Sequence, residues 1–193
     1  SHEDVVAVIA WAKKNKVHVI PFGGGTNIAG ALDVKVEAKL PVLSLDMRGM
    51  GRLLEMQEDS NLALLETGAV GPAIEEQLGE RGFSLGHFPD SFEFSTLGGW
   101  IATRSAGMQS DAYGRIEDMV QALHTVTSEH VLELKPFPAT SAGPDLARPF
   151  IGSEGCFGII TRAWMRVHPI PESKRYVGYL FKTFEQGLAA VKA

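Results

Sequence analysis

Glycine is gathered into three separated patches in this chain, and that distribution limits the fold more than any other feature. The first is Phe22-Gly23-Gly24-Gly25-Thr26-Asn27. The second runs through Ser95-Thr96-Leu97-Gly98-Gly99 and Thr103-Arg104-Ser105-Ala106-Gly107, and the third is Gly152-Ser153-Glu154-Gly155-Cys156-Phe157-Gly158. Residues without a Cβ lose too much backbone freedom to favour helix or strand interiors, so the regular elements must be short and must stop at these points. Glycine makes up 21 of 193 residues, about 11% against an average near 7%. The rest of the chain is 45% apolar, enough to close a core around the patches.

Several partner classes fall away on composition. With 18 Lys and Arg against 23 Asp and Glu, a formal charge of −5, there is no cationic footprint for a nucleic acid. Cys156 is the only cysteine, which excludes an internal disulfide framework and leaves too few thiolates for a structural zinc. No two histidines stand at helical i, i+3 or i+4 spacing, so no metal site is expected. Gly, Pro or charge interrupts every apolar run before the roughly 20 residues needed to cross a bilayer.

Ser1 and Asp4 form a capping-box pattern ahead of Val5, Val8, Ile9 and Ala12, which predicts an opening helix. An opening this abrupt reads as a piece cut from a longer chain. Val17 to Pro21 predicts a strand feeding the first glycine patch. Val42 to Asp46, Arg52 to Gln57 and Leu62 to Glu66 predict a meander turning at Glu58-Asp59-Ser60-Asn61. Pro72 to Gly82 frames a short helix. Residues 83 to 118 show little periodicity and read as a binding segment. Strands follow over Met119 to Thr127, Val131 to Leu134 and Ile159 to Val167. Pro169 and Pro171 mark a boundary, beyond which Tyr176 to Phe181 and a helix from about Phe184 begin a further unit. The irregular mixture favours α+β over a doubly wound sheet.

The triple glycine fits neither common phosphate loop. A dinucleotide fingerprint needs a small residue where Ile28 stands and a helix after it. A P-loop needs Lys-Ser/Thr where Ala31-Leu32 stand. Two readings stay open for it alone: a nest of N–H groups cradling an anion, with Thr26 and Asn27 as added donors, or a plain glycine turn. Three such patches together fit an elongated ligand such as a dinucleotide, approached by backbone and by Ser and Thr hydroxyls. Gly82-Phe83-Ser84-Leu85-Gly86 matches a nucleophile elbow, but His87-Phe88-Pro89 follows where a helix is needed. His18 and His124 read as structural, and Glu117-Asp118 as a solvated turn.

Pro21 to Asn27, Gly86 to Trp100, Thr103 to Met108, Tyr113 to Asp118 and Gly152 to Gly155 together resemble the flavin-binding domain of the alkyldihydroxyacetonephosphate synthase family, within the vanillyl-alcohol-oxidase superfamily. The resemblance covers nearly the whole chain. It implies an α+β PCMH-type FAD-binding fold of two α/β subdomains with mixed and antiparallel sheets over residues 1–170, lacking its first strand. Residues 171–193 would begin a substrate domain.

By resemblance, Pro21, Phe22, Gly23, Gly24, Gly25, Thr26 and Asn27 would hold the FAD pyrophosphate through backbone N–H groups. Asp90, Ser91, Phe92, Glu93, Phe94, Ser95 and Thr96, with Thr103, Arg104, Ser105 and Ala106, would line the middle of the cofactor. Glu154, Gly155, Cys156, Phe157, Gly158, Ile159 and Ile160 would pack near its adenine or ribitol. Phe22 and Asn27 stand where the family pattern has Tyr and Ser, and Cys156-Phe157 where it has Thr-Leu. Cys156 reads as a small core residue, the alternative being a sulfur tether to the flavin. His87 either approaches the flavin or steadies its loop, and Arg104 either offsets cofactor charge or is an ion-paired surface residue.

The implied reaction exchanges the acyl chain of acyl-dihydroxyacetone phosphate for a fatty alcohol without net redox change, an early step of ether lipid synthesis. Its acid–base groups would lie on the C-terminal substrate domain, so this chain is expected to bind FAD without turnover. The resemblance further implies a homodimer at full length, peripheral membrane association and a peroxisomal location, although no address is read in these residues. Two alternatives remain at this point: an FAD-linked oxidoreductase of a 2-hydroxy acid such as lactate or glycolate, and a non-enzymatic scaffold that has lost the flavin. Gly24→Val is expected to abolish FAD retention and leave the fold intact, by opposing positive φ and blocking the phosphate.

Overall fold

The computed structural model describes residues 1–34 and 39–192. Helix α1 (His2–Asn15) opens on the expected capping box: the Asp4 N–H donates to the Ser1 hydroxyl at 3.2 Å and the Asp4 carboxylate reaches back to Ser1. It ends at Lys16 in the left-handed region, φ 54°. Val5 and Ala12 are its buried apolar face, joined by His2, while Val8 and Ile9 are half-buried.

Strand β1 (His18–Phe22) pairs in parallel with β2 (Val42–Asp46), His18 opposite Val42 and Phe22 opposite Asp46. This corrects the expected meander. Only β3 (Leu53–Gln57) and β4 (Leu62–Glu66) form the antiparallel hairpin, around a 3₁₀ turn at Glu58–Ser60. A parallel partner needs a long crossover, and residues 23–41 supply one. The hairpin belongs to a five-stranded antiparallel sheet of order β3-β4-β8-β6-β7, with β6 (Val120–Val126), β7 (Val131–Glu133) and β8 (Ile159–Arg166). A parallel pair beside an antiparallel sheet, with helices packed on both, is the α+β mixture expected.

Two layers of core fix these parts to each other. Leu65, Leu123, Ala163 and Met165 of the sheet pack with Ile74 and Leu78 of α2 (Gly71–Gly79) and with Trp100 and Ile101. A second cluster of Val5, Met47, Met50, Val126 and Ile159 joins α1 and the β1–β2 pair to the sheet end. At the end of β4 the buried Glu66 carboxylate accepts from the Arg52 N–H, Nε and Nη2 at 3.0, 3.2 and 3.0 Å. Burial alone would raise its pKa, but the Arg52 hydrogen bonds outweigh that and hold it below the ordinary carboxylate value.

Residues 83–118 hold more structure than their periodicity showed: β5 (Phe83–Ser84), α3 (Leu97–Thr103), α4 (Ser110–Tyr113) and α5 (Ile116–Met119). Helices this short cannot display a 3.6-residue repeat, and they stand on tertiary anchors. Helix α3 starts where the Leu97 N–H donates to the Ala69 carbonyl at 3.0 Å and that of Gly98 to Thr67 at 2.8 Å. Ser84 lies in β5, its hydroxyl accepting from the Gly86 N–H at 3.0 Å, and β5 pairs with β9 (His168–Pro169). Past β9, residues Tyr176 to Phe181 are irregular and exposed, and meet no partner strand among the described residues. Helix α6 (Phe184–Lys192) follows with no buried residue.

Candidate cofactor-binding site

The three glycine patches meet. A Cβ on Gly23 would collide with Thr96 Oγ1, and one on Gly24 with the Phe94 carbonyl oxygen, so the first patch lies flush against the second. A Cβ on Gly155 would stand 3.2 Å from Pro21 Cγ, which brings the third patch against the first. The Gly152 and Glu154 N–H groups donate to the Ile101 and Ala102 carbonyls at 3.0 and 2.9 Å, tying the third patch to the C-terminal end of α3. Between them lies a cleft of about 310 Å³, bounded by the end of β1, the start of α3 and the start of β8.

The glycine loop brings main-chain donors to this cleft. Among the described residues, no hydrogen bond takes up the N–H of Gly23, Gly24, Gly25, Thr26 or Asn27. Gly25 occupies the left-handed region at φ 69°, which turns the loop within a few residues. Among the described residues no Lys or Arg side chain lines the cleft, and Glu154 is the only charged one that does. An anion here would be held by oriented N–H dipoles.

The hydroxyls expected to bind the ligand are largely spent within the protein. Ser95 Oγ donates to the Ser91 carbonyl at 2.8 Å and accepts from Trp100 Nε1 at 2.6 Å and Ser91 Oγ at 3.0 Å. Thr103 Oγ1 donates to the Gly99 carbonyl at 2.9 Å, and the hydroxyl of Thr67, not anticipated from the sequence, to the Ile160 carbonyl at 2.6 Å. Their work is to hold the walls. Met47, Trp100, Ile159 and Ile160 add apolar surface. An anion cradle of free N–H groups continued by an apolar slot fits a dinucleotide carrying an aromatic ring, and FAD among them.

Of the residues singled out from the sequence, Pro21 to Asn27, Ser91, Ser95, Thr96, Thr103, Ser105, Glu154, Gly155, Gly158, Ile159 and Ile160 line the cleft. Asp90, Phe92, Glu93, Phe94, Arg104, Ala106, Cys156 and Phe157 do not. Phe92 lies between Phe88 and Trp100, its ring centroid 5.1 and 6.4 Å from theirs. Arg104 is left-handed at φ 52° and donates from Nε to the Ile151 carbonyl at 3.2 Å, bracing the second patch to the third from outside. Cys156 is exposed, which corrects its reading as a core residue, and it stands outside the cleft as well.

His87 is buried and sits one layer behind the wall. Its Nε2 is 3.1 Å from Ser105 Oγ, its ring is 5.0 Å from that of Trp100, and burial pushes its pKa down to about 4. It steadies the wall in neutral form. Gly24 also needs a correction: its φ is not positive, and its missing Cβ points at the Phe94 carbonyl, away from any phosphate in the cradle. The sequence missed Ile28, Ala29, Ala31, Leu32, Met47, Thr67 and Ala102 as lining residues, and no glycine or charge signal marked them. Among the described residues, no cluster of His, Cys, Asp or Glu is placed to hold a metal, and no helix is long and apolar enough to cross a membrane.

A family model described as FAD binding domain matches residues 1–132. The alkyldihydroxyacetonephosphate synthase of Trypanosoma brucei brucei is 46% identical over 98% of this chain, and that of Dictyostelium discoideum 46% identical over 100%; the match covers 31% of each. A solved structure of an alkyldihydroxyacetonephosphate synthase superposes with a TM-score of 0.92 at 46% identity, over 99% of this chain and 34% of that one. The chain therefore spans about a third of the length of the relatives it matches.

Proposed function

This chain belongs to the FAD-binding domain family, and from that premise we propose that it is the flavin-holding part of an alkyldihydroxyacetonephosphate synthase. FAD is the cofactor of the domain. One observation carries the assignment of its site: the three glycine patches touch around one cleft, and among the described residues no hydrogen bond takes up the N–H groups of Gly23 to Asn27, which line it. Gly23 to Asn27 hold the pyrophosphate through main-chain donors. Ser91, Ser95, Thr96, Thr103 and Ser105 shape the middle of the slot, and Glu154 to Ile160 close the end that takes the adenine or ribitol.

FAD supplies an electron sink when bound. The residues of this chain orient it, exclude water from its buried side through Trp100, Ile159 and Ile160, and keep charge away with a neutral His87. No acid–base pair lines the cleft among the described residues, so proton transfer belongs to the rest of the full-length protein. Residues 1–170 form the cofactor domain and 171–193 the start of the substrate domain. The names of the 46% identical relatives support synthesis of an alkyl-dihydroxyacetone phosphate; the reaction proposed for the full-length protein, as a homodimer, is exchange of the acyl chain of acyl-dihydroxyacetone phosphate for a fatty alcohol.

The test is made on the full-length protein. It should purify yellow, release FAD on heating, and form labelled alkyl product from acyl-dihydroxyacetone phosphate and a labelled fatty alcohol with release of one fatty acid. Reduction of a dye by lactate or glycolate, without that exchange, would replace the transferase by the oxidoreductase reading. A colourless protein would refute both.

A further inference from the structure

We propose that Arg48, which lies outside the cleft, is a positioning residue for the cofactor: clamped by Asp46, it braces the Phe22 ring on which the glycine loop rests. The inference rests on the FAD site proposed above and deepens it.

Phe22 and Asp46 are register partners at the ends of β1 and β2, and the Met47 N–H donates to the Phe22 carbonyl at 2.9 Å. The chain then turns back on itself. The Arg48 N–H and Nε each donate to Asp46 Oδ1 at 3.0 Å, and Nη2 donates to Oδ2 at 2.6 Å. These bonds fix the plane of the guanidinium, whose central carbon stands 5.3 Å from the centroid of the Phe22 ring. The same bonds lower the Asp46 carboxyl to about 2, so the pair stays charged at any working pH.

The ring edge also meets the loop. A Cβ on Gly25 would stand 3.1 Å from Phe22 Cζ and 3.2 Å from Cε2, so the ring edge is the floor beneath the one left-handed residue of the cradle. Phe22 and Gly25 both line the cleft, whereas Asp46 and Arg48 do not. A glycine-rich loop has much conformational freedom to lose when it closes on a ligand, and holding its floor still in advance lowers that cost. An exposed cation–π contact contributes about 0.5–1 kcal/mol, which corresponds to a two- to five-fold change in a dissociation constant.

The experiment is a double-mutant cycle on the full-length protein, with FAD affinity read by flavin fluorescence and backbone exchange at Gly23 to Asn27 read on the flavin-free form. Arg48→Ala should weaken FAD binding by about two- to five-fold and speed loop exchange. In a Phe22→Leu background the same substitution should change neither. Unchanged loop exchange in Arg48→Ala, or an equal loss of affinity with and without the Phe22 ring, overturns the clamp. A protein that binds no FAD while its loop exchange still responds to Arg48→Ala overturns the site reading and leaves the brace standing.

Discussion

Gly24→Ala adds a single methyl group and should cost FAD affinity far more than stability. The added carbon would lie 2.6 Å from the Phe94 carbonyl carbon and 2.8 Å from Ser95 Cα, closer still to the Phe94 oxygen, where ordinary contact begins at 3.4 Å. One wall must retreat by at least 3.4 minus 2.6, or 0.8 Å. The second patch cannot, because Ser95 is buried, its hydroxyl is bonded to Trp100 and Ser91, and Leu97 and Gly98 are tied to Ala69 and Thr67. The glycine loop therefore moves into the cleft.

Without ligand that displacement meets open space and little stability is lost. With FAD present the space is taken, and forcing a methyl into a filled site costs about 1–3 kcal/mol, equivalent to a five- to 150-fold weaker dissociation constant. The assay is FAD titration by fluorescence beside thermal unfolding of the flavin-free protein. Gly49→Ala, whose methyl meets nothing within 4 Å, is the control. FAD binding within two-fold of the parent in Gly24→Ala would refute the reasoning that the two patches are flush.

Burial holds His87 near 4 in the folded protein against 6.5 when free, so between those values the unfolded chain binds more protons. Its contribution is whole above about pH 6.5 and is lost as pH falls toward 4; His87→Gln should remove up to about 2 kcal/mol of that dependence in urea unfolding compared at pH 7 and 5. Arg52→Ala strands the buried Glu66 carboxylate, and with solvent still able to reach from the arginine side the loss should be about 1–3 kcal/mol at pH 7, against no loss if the pair is idle. A chain ending at Ile170 should unfold within about 0.5 kcal/mol of the longer one, since α6 buries nothing; a larger loss would move the domain boundary.

What the sequence revealed was set by how locally each feature is written. The capping box at Ser1 and Asp4 and the hairpin around Glu58–Ser60 lie within a few residues and were legible. Pairing of β2 with β1 is a choice between distant partners, and neither strand's pattern favours a parallel neighbour over β3. Helix α3 has a local N-cap in Thr96, whose side chain accepts from the Gly99 N–H, but its first N–H groups are taken by Ala69 and Thr67, far earlier in the chain, and no window around Leu97 displays those anchors.

The cofactor site was legible in outline because it is written in absences. A cleft lined by lysines would have announced itself through charge; among the described residues no lysine lines this one, in a chain of net −5. Its attraction for an anion comes from N–H groups, which every non-proline residue has, and sequence marks them only where side chains are removed to expose them. Glycine spacing therefore located the patches but not the direction of each Cα–H. At Gly23 and Gly24 the missing side chain makes room for Thr96 and Phe94. At Gly25 it permits a left-handed turn over Phe22. The same residue type thus does two different jobs within three positions: two of these glycines let the walls approach each other, and the third aims the loop. The cleft exists because both are met at once.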